Sequence, residues 1–419
     1  MEIGYACLTV GVPGTKLRSC RAGNADAKRL RGIIASNLKA LDRMLDYNIE
    51  QGIGLLRLSS DIIPLGSHPA NRLNWDELFA PELQQLGEKA RQHGIRLSMH
   101  PGQYTVLNSL HEEVVGRAKN DLRYHARFLD ALGTDARNKI VLHIGGAYGD
   151  KEASAERFGK HYESLEQTIK ERLIIENDDR IFNIREVLDI GLEHGIPVVY
   201  DNLHNQVNPC NGKKDSDWIR AASATWTAKD GSQLIHYAQQ DPGKRAGAHA
   251  ERIDLEAFLD FAAELREAAL ETDIMLEVKD KNLSAVKCVN GLKGKNIRLL
   301  EEEWARYKYL VLEHSPAAYG KIRELLKDKN AYPVRRFYRL IDEALSQKIS
   351  PGHAVNAAEH VWGYFKNTAD EKTKEKAGKE IRKIAEGGSA RRLKGMLWKM
   401  ARAEDAAYLL QSLYFKDVM

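Results

Sequence analysis

Four histidines and three carboxylates stand at or just past the ends of apolar runs in this sequence. They are His100 in LSMHPGQY, His143 in KIVLHIGG, Glu176 in LIIEND, Asp201 and His204 in PVVYDNLH, His236 in QLIHYAQQ and Glu277 in IMLEVKD. His249, in the following PGKRAGAH, adds a fifth imidazole. Any one of them, alone, reads as an ordinary hydrogen-bonded residue. Gathered in one volume, they would cost several kcal/mol per buried ion without compensation, and divalent cations are the simplest compensation. Mixed imidazole and carboxylate ligation suits zinc, manganese or iron, and a carboxylate can bridge two ions. The Asp201-x-x-His204 spacing lets a strand running into its loop turn both side chains toward one ion. Two chemistries follow from such a cluster. Close ions can clamp a phosphodiester, generate a hydroxide and stabilise the leaving oxygen, or a pair can hold an opened sugar for a hydride shift.

The elements that must position these residues are legible as a repeating pattern. Runs rich in β-branched residues occur at 3–10, 55–61, 96–101, 139–146, 173–178, 197–204, 233–240 and 274–280. Amphipathic segments such as NLKALDRMLDYNIEQG, ELQQLGEKARQHG and LEAFLDFAAELREAAL lie between them, two of these closed by the glycine expected past a helix end. Eight such units predict a closed (β/α)8 barrel of the TIM type rather than an open doubly wound sheet, and no Gly-x-Gly-x-x-Gly follows the first run. Most runs place apolar residues first and polar ones last, and the C-terminal strand ends of a barrel form its active face. In that fold the eight residues converge.

Other groups surround the expected mouth. Pro101 and Gly102 put a sharp turn after His100, which sets Gln103 and Tyr104 on a short, stiff projection. Tyr5 on the first strand and His68 in PLGSHP are expected to face the same volume, and Lys244, Arg245, Lys279 and Lys281 supply cations of the kind a polyanion needs.

Together the motifs SHP, LSMHPGQY, LHIGGAYG, IENDDR, YDNLHNQVNP, IHYAQQDPGKRAGAH and MLEVKDK resemble the UV damage endonuclease family over roughly residues 1–285. The resemblance implies a barrel with two or three divalent ions, manganese first and zinc or magnesium after it. It also implies nicking of double-stranded DNA immediately 5′ of cyclobutane pyrimidine dimers, 6-4 photoproducts and abasic sites. Carried onto this chain, the metal ligands are His100, His143, Glu176, Asp201, His204, His236, His249 and Glu277. Glu176, Glu277, His68 and Lys279 are the expected catalytic groups, with Tyr5, Gln103, Tyr104, Lys244 and Arg245 toward DNA and lesion. Two positions depart from the family pattern: Leu234 stands where members carry a lysine that can be carboxylated, and Thr9 where some carry an asparagine.

From about residue 286 the strand pattern stops, and six helical stretches from 297 onward predict an all-α C-terminal domain, 286–419, after the barrel domain, 1–285. HSPAAYGKI and HAVNAAEHVWGYF resemble a helical domain of unknown function. Residues 301–419 hold 23 Lys and Arg against 17 Asp and Glu, so the remainder of this +4 chain is near neutral. His314, His353 and His360 lack matching carboxylate spacing and are expected to be structural. Cys7, Cys20, Cys210 and Cys288 form no C-x-x-C pair, which argues against a structural zinc site or a disulfide framework. With no apolar run near the ~20 residues of a membrane helix and no secretory pattern at MEIGYACLTV, a cytoplasmic protein with no membrane association and no organic cofactor is expected. The competing readings are an abasic-site nuclease like endonuclease IV, a sugar isomerase, and a damage-binding barrel without catalysis.

Overall fold

A computed structural model describes residues 1–210 and 212–419. The eight apolar runs form eight short parallel strands: β1 Ile3–Ala6, β2 Leu55–Leu58, β3 Arg96–Met99, β4 Ile140–His143, β5 Leu173–Glu176, β6 Val198–Asp201, β7 Gln233–Tyr237 and β8 Thr272–Leu276. They pair in sequence order, and β1 pairs with β8 to close the barrel. Each strand is shorter than its apolar run. His100 and Glu277 therefore lie one residue past β3 and β8, and His204 lies in a helical turn, Asn202–Val207, rather than at a strand end.

The register fixes which residues face inward. Parallel partners point to the same side, and the pairs Leu55↔Arg96, Val141↔Ile174, Leu234↔Asp273 and Gly4↔Met275 tie the strands into one alternation. Leu55, Val141, Ile174, Val199, Leu234 and Met275 form a closed apolar layer. Two residues further along, on the same face, stand Arg57, His143, Glu176, Asp201, His236 and Glu277. Gly4 completes the packing on β1, since a Cβ there would come within 2.3 Å of the Leu55 Cβ. Leu234 thus fills the barrel's apolar layer directly below His236, only 2% exposed. Leu234→Ala is expected to cost about 2–5 kcal/mol by leaving a void, measured by chemical denaturation.

The helices start and stop on local signals. Asp26 accepts from the Arg29 amide to open Ala27–Gln51, and Gly52 at φ 66° ends it. Asn183 and Glu186 form a reciprocal capping box at the start of Ile184–His194. No helix of the described residues is long and apolar enough to cross a membrane.

The chain divides into two compact units, the first comprising Met1–Thr9, Gly14–Ile253 and Asp260–Val286, the second Val10–Pro13, Asp254–Leu259 and Lys287–Met419. The second is helical. Ser315-Pro316 and Ser350-Pro351 each open a helix, the serine side chain accepting from the Ala318 or His353 amide. Its core gathers Leu312, Ala357, Val361, Leu393, Leu397 and Phe415, with the buried pair Lys394–Glu313 at 2.6 Å. His314 Nδ1 and His353 Nδ1 meet the carbonyls of Gln347 and His314 at 2.8 and 3.2 Å. The last predicted helix is divided: Arg391–Ala403 ends ahead of Asp405, which adopts φ 47°, and the chain resumes as Ala407–Leu410.

Candidate metal centre

Glu176, fully buried at the end of β5, is the hub. Its Oε2 lies 3.2 Å from His100 Nε2 and 3.6 Å from His143 Nε2. Its Oε1 lies 2.7 Å from His236 Nδ1 and 3.6 Å from His204 Nδ1. His236 Nδ1 is also 3.3 Å from Glu277 Oε1, and His249 Nε2 is 3.8 Å from Glu277 Oε2. The loop carrying His249 is pinned by an antiparallel bridge to Gln240. Two donor groups, His100, His143, Glu176 and Glu176, Asp201, His236, each keep their ligand atoms within 4.8 Å of one another, and they share Glu176.

The Asp201-x-x-His204 spacing has a local explanation. Asp201 ends β6 and caps the turn Asn202–Val207, its Oδ1 accepting from the His204 amide at 2.7 Å. Capping engages one carboxylate oxygen and leaves Oδ2 buried without a partner. Asn177 holds both neighbours, accepting from the Asp201 amide at 2.9 Å through its side chain and facing His204 Nδ1 with its carbonyl at 2.9 Å.

Charge is concentrated here. Burial raises the Glu176 carboxyl, but His236 and His143 outweigh it and hold the group well below the usual range. Burial pushes Asp201 up despite His204. Against the effect of burial, Asp201, Glu176 and Glu277 lift His204 to about 9, and Glu176 raises His236; burial lowers His143.

A divalent cation fits this donor set. His100 Nδ1 lies 3.1 Å from the Pro101 carbonyl, a partner that can take the ring proton and so free the Nε2 lone pair, 3.2 Å from Glu176 Oε2, for a cation between them. His143 Nδ1, His236 Nε2 and Asp201 Oδ2 are buried atoms with no hydrogen-bond partner. A cation satisfies both arrangements.

Gln103 and Tyr104 are exposed at the tip of a turn closed by the Thr105 amide on the Gly102 carbonyl at 2.9 Å. Tyr104 is 71% exposed, and Thr105 anchors the turn on Asp121 at 2.7 Å. His68 is exposed in the loop after β2; its Nδ1 accepts from the Ala70 amide at 3.0 Å, which leaves Nε2 as the donor. Tyr5 departs from expectation. Gly4 takes the inward position, so Tyr5 points to the helix layer, fully buried, its hydroxyl donating to Asn48 Oδ1 at 2.9 Å and meeting Thr9 Oγ1 at 2.7 Å. Lys244 and Lys279, expected as cations near the site, are both ion-paired. Lys244 reaches Asp241 and Glu251 at 3.0 and 3.2 Å, and Lys279 reaches the same two carboxylates at 3.3 and 2.8 Å, a charge-balanced quartet. Lys281 sits at φ 55° and is lowered by burial. Arg245 is exposed and has no ion-pair partner among the described residues.

Sequence reasoning missed Arg57. It donates to Glu277 Oε1, and burial plus that carboxylate define its surroundings, with Glu176 also near. Its signal was present: in LLRL it stands two residues after Leu55, on the inward face.

Residues 1–303 match the family described as UV-endonuclease UvdE, and 308–417 match a family described as a protein of unknown function, DUF1722. A UV DNA damage endonuclease of Clostridium perfringens is 40% identical over 350 residues, 82% of this chain and 83% of the relative. One of Bacillus cereus is 34% identical over 266 residues, 64% of this chain and 84% of the relative. The crystal structure of SacUVDE superimposes with a TM-score of 0.66 at 38% identity, covering 70% of this chain and 98% of that one. With the family match spanning the whole barrel and the relatives aligned along most of their own length, this chain belongs to the UV-endonuclease UvdE family.

Proposed function

We propose that this chain is a metal-dependent DNA repair endonuclease that nicks the phosphodiester immediately 5′ of UV photoproducts in double-stranded DNA, and of abasic sites. The observation that carries the reading is the pair of donor groups sharing Glu176 at the C-terminal end of a closed barrel; the names of its relatives support the substrate class. His100, His143, Glu176, Asp201, His204, His236, His249 and Glu277 would hold two or three divalent ions, manganese by preference over zinc or magnesium. Bound there, the ions neutralise a phosphodiester and activate water. The chain's own residues supply the rest. Glu176 and Glu277 set the charge of the centre, Asn177 orients His204 and Asp201, and His68 offers its Nε2–H to a phosphate oxygen. Gln103 and Tyr104 enter the base stack beside the lesion, where damage has lowered the cost of flipping. The barrel, 1–285, carries this chemistry, and the helical domain, 286–419, is a separate binding module.

Gln103→Ala with Tyr104→Ala is expected to reduce the preference for damaged over undamaged duplex roughly tenfold, in keeping with the loss of one stacked ring, while the metal content stays that of wild type. Competition nicking between the two duplexes measures it, and an unchanged preference removes these residues from recognition. The reading itself is tested by nicking of a labelled duplex with one cyclobutane pyrimidine dimer, with Mn²⁺ and with chelator. Cleavage that persists through metal removal overturns the metal-dependent account, and cleavage of abasic duplex alone favours a nuclease of narrower range.

A further inference from the structure

The helical unit carries an aromatic cluster that is left half open to solvent. Tyr309 and Tyr364 join hydroxyl to hydroxyl at 2.7 Å. Tyr364 lies nearly parallel to Tyr408, ring centres 6.2 Å apart and planes 23° apart. Tyr364 and Tyr408 are 48% and 38% exposed, so neither ring is spent on packing the core. Trp304 extends the surface by packing on Tyr319 at 5.3 Å.

Two cations sit among these rings. Lys308 Nζ is 4.6 Å from the ring centres of both Tyr309 and Tyr408, and the Arg323 guanidinium lies 5.8 Å over Tyr319. Among the described residues neither has a carboxylate partner, unlike Lys329, which pairs with Glu301, and Lys383, which pairs with Glu380. Burial and the nearby Arg323 hold Lys308 below the ordinary lysine range. The rings thus frame uncompensated positive charge.

That combination selects its ligand. An exposed ring face takes a base by stacking, and a cation beside it takes the phosphate that follows. An acidic peptide would use the cations and leave the rings idle. A cationic ligand would find the space between Tyr309 and Tyr408 filled by Lys308 and would meet Arg323. We propose that the face formed by Tyr364, Tyr408, Lys308 and Arg323 binds single-stranded DNA, bases on the tyrosines and phosphates on the cations. The choice of DNA over RNA rests on the endonuclease reading; the stacking surface itself does not.

The test is fluorescence anisotropy of the full chain, without added metal, against a labelled oligothymidylate of about 16 nucleotides, the upper site size of common single-strand binders. Tyr364→Ala with Tyr408→Ala is expected to weaken binding roughly tenfold or more, and Tyr408→Phe, which keeps the ring, to bind like wild type. Arg323→Gln, at an exposed position, is expected to reduce the slope of log affinity against log salt by roughly 0.7. Retained affinity in the double alanine variant, an unchanged salt slope, or tighter binding of the matching oligouridylate overturns the proposal. Nicking of lesion duplex is scored separately, so failure here and failure of the endonuclease reading are told apart.

Discussion

Glu176→Gln abolishes nicking while leaving the chain folded: the expected loss is on the order of 10³-fold or more in rate, roughly 4 kcal/mol of transition-state stabilisation. The substitution changes no volume, so the apolar layer beneath it stays packed. It removes the one carboxylate that faces His100, His143, His204 and His236 together, and an amide can neither carry that charge nor bridge two ions through both oxygens. Metal content measured on the purified variant should fall with the rate. Because Glu176 belongs to both donor groups, its loss is expected to exceed that of His143→Ala, which touches one. A variant that nicks within a few-fold of wild type would show that the centre of the chemistry lies elsewhere.

Arg57→Met produces the largest expected change in stability. Arg57 and Glu277 are a buried pair, each side chain 11% exposed, and removing one partner of such a pair costs about 3–5 kcal/mol because the other charge is left without compensation. Glu277 then stands near Glu176 with the His236 and His249 imidazoles and the Lys281 ammonium for balance. Denaturation in the presence of chelator measures the cost of the missing guanidinium alone. Adding divalent metal should return part of the loss, since a cation at Glu277 does the same electrostatic work. The double variant Arg57→Met with Glu277→Leu should be closer to wild type than the single one, because no charge is orphaned. A cost under about 1 kcal/mol, the scale of surface pairs, would show that the pair is solvated.

How much of this was legible in the sequence depends on which physical constraint spoke locally. The barrel was, because each strand and its helix carry their own periodicity and end signals, and Gly52 and Asp26 state the helix boundaries outright. The gathering of His143, Glu176, Asp201 and His236 also followed from the strands, because they share one inward face and one end of the sheet. Tyr5 was misread for the same reason in reverse: a single residue on a strand has no visible facing until the register is known, and the Gly4 contact with Leu55 decides it. Lys279 gives no sign of its partners in sequence because Asp241 and Glu251 are brought to it only by the loop's fold, whereas Lys244 has Asp241 three residues before it. Asp201-x-x-His204 was read as a strand entering a loop, and it is a capped helical turn, the geometry that brings i and i+3 to one side where an extended strand would set them on opposite faces. Leu234 was a puzzle as a missing lysine and is plain as a member of the apolar layer.

The measurement that bears most directly on the central claim is the position of the cut, mapped to the nucleotide on an end-labelled duplex that holds a single cyclobutane pyrimidine dimer, in Mn²⁺. One product ending at the phosphodiester immediately 5′ of the dimer is expected, and none from the undamaged duplex. Cuts scattered along both duplexes, or an intact damaged strand, would contradict it.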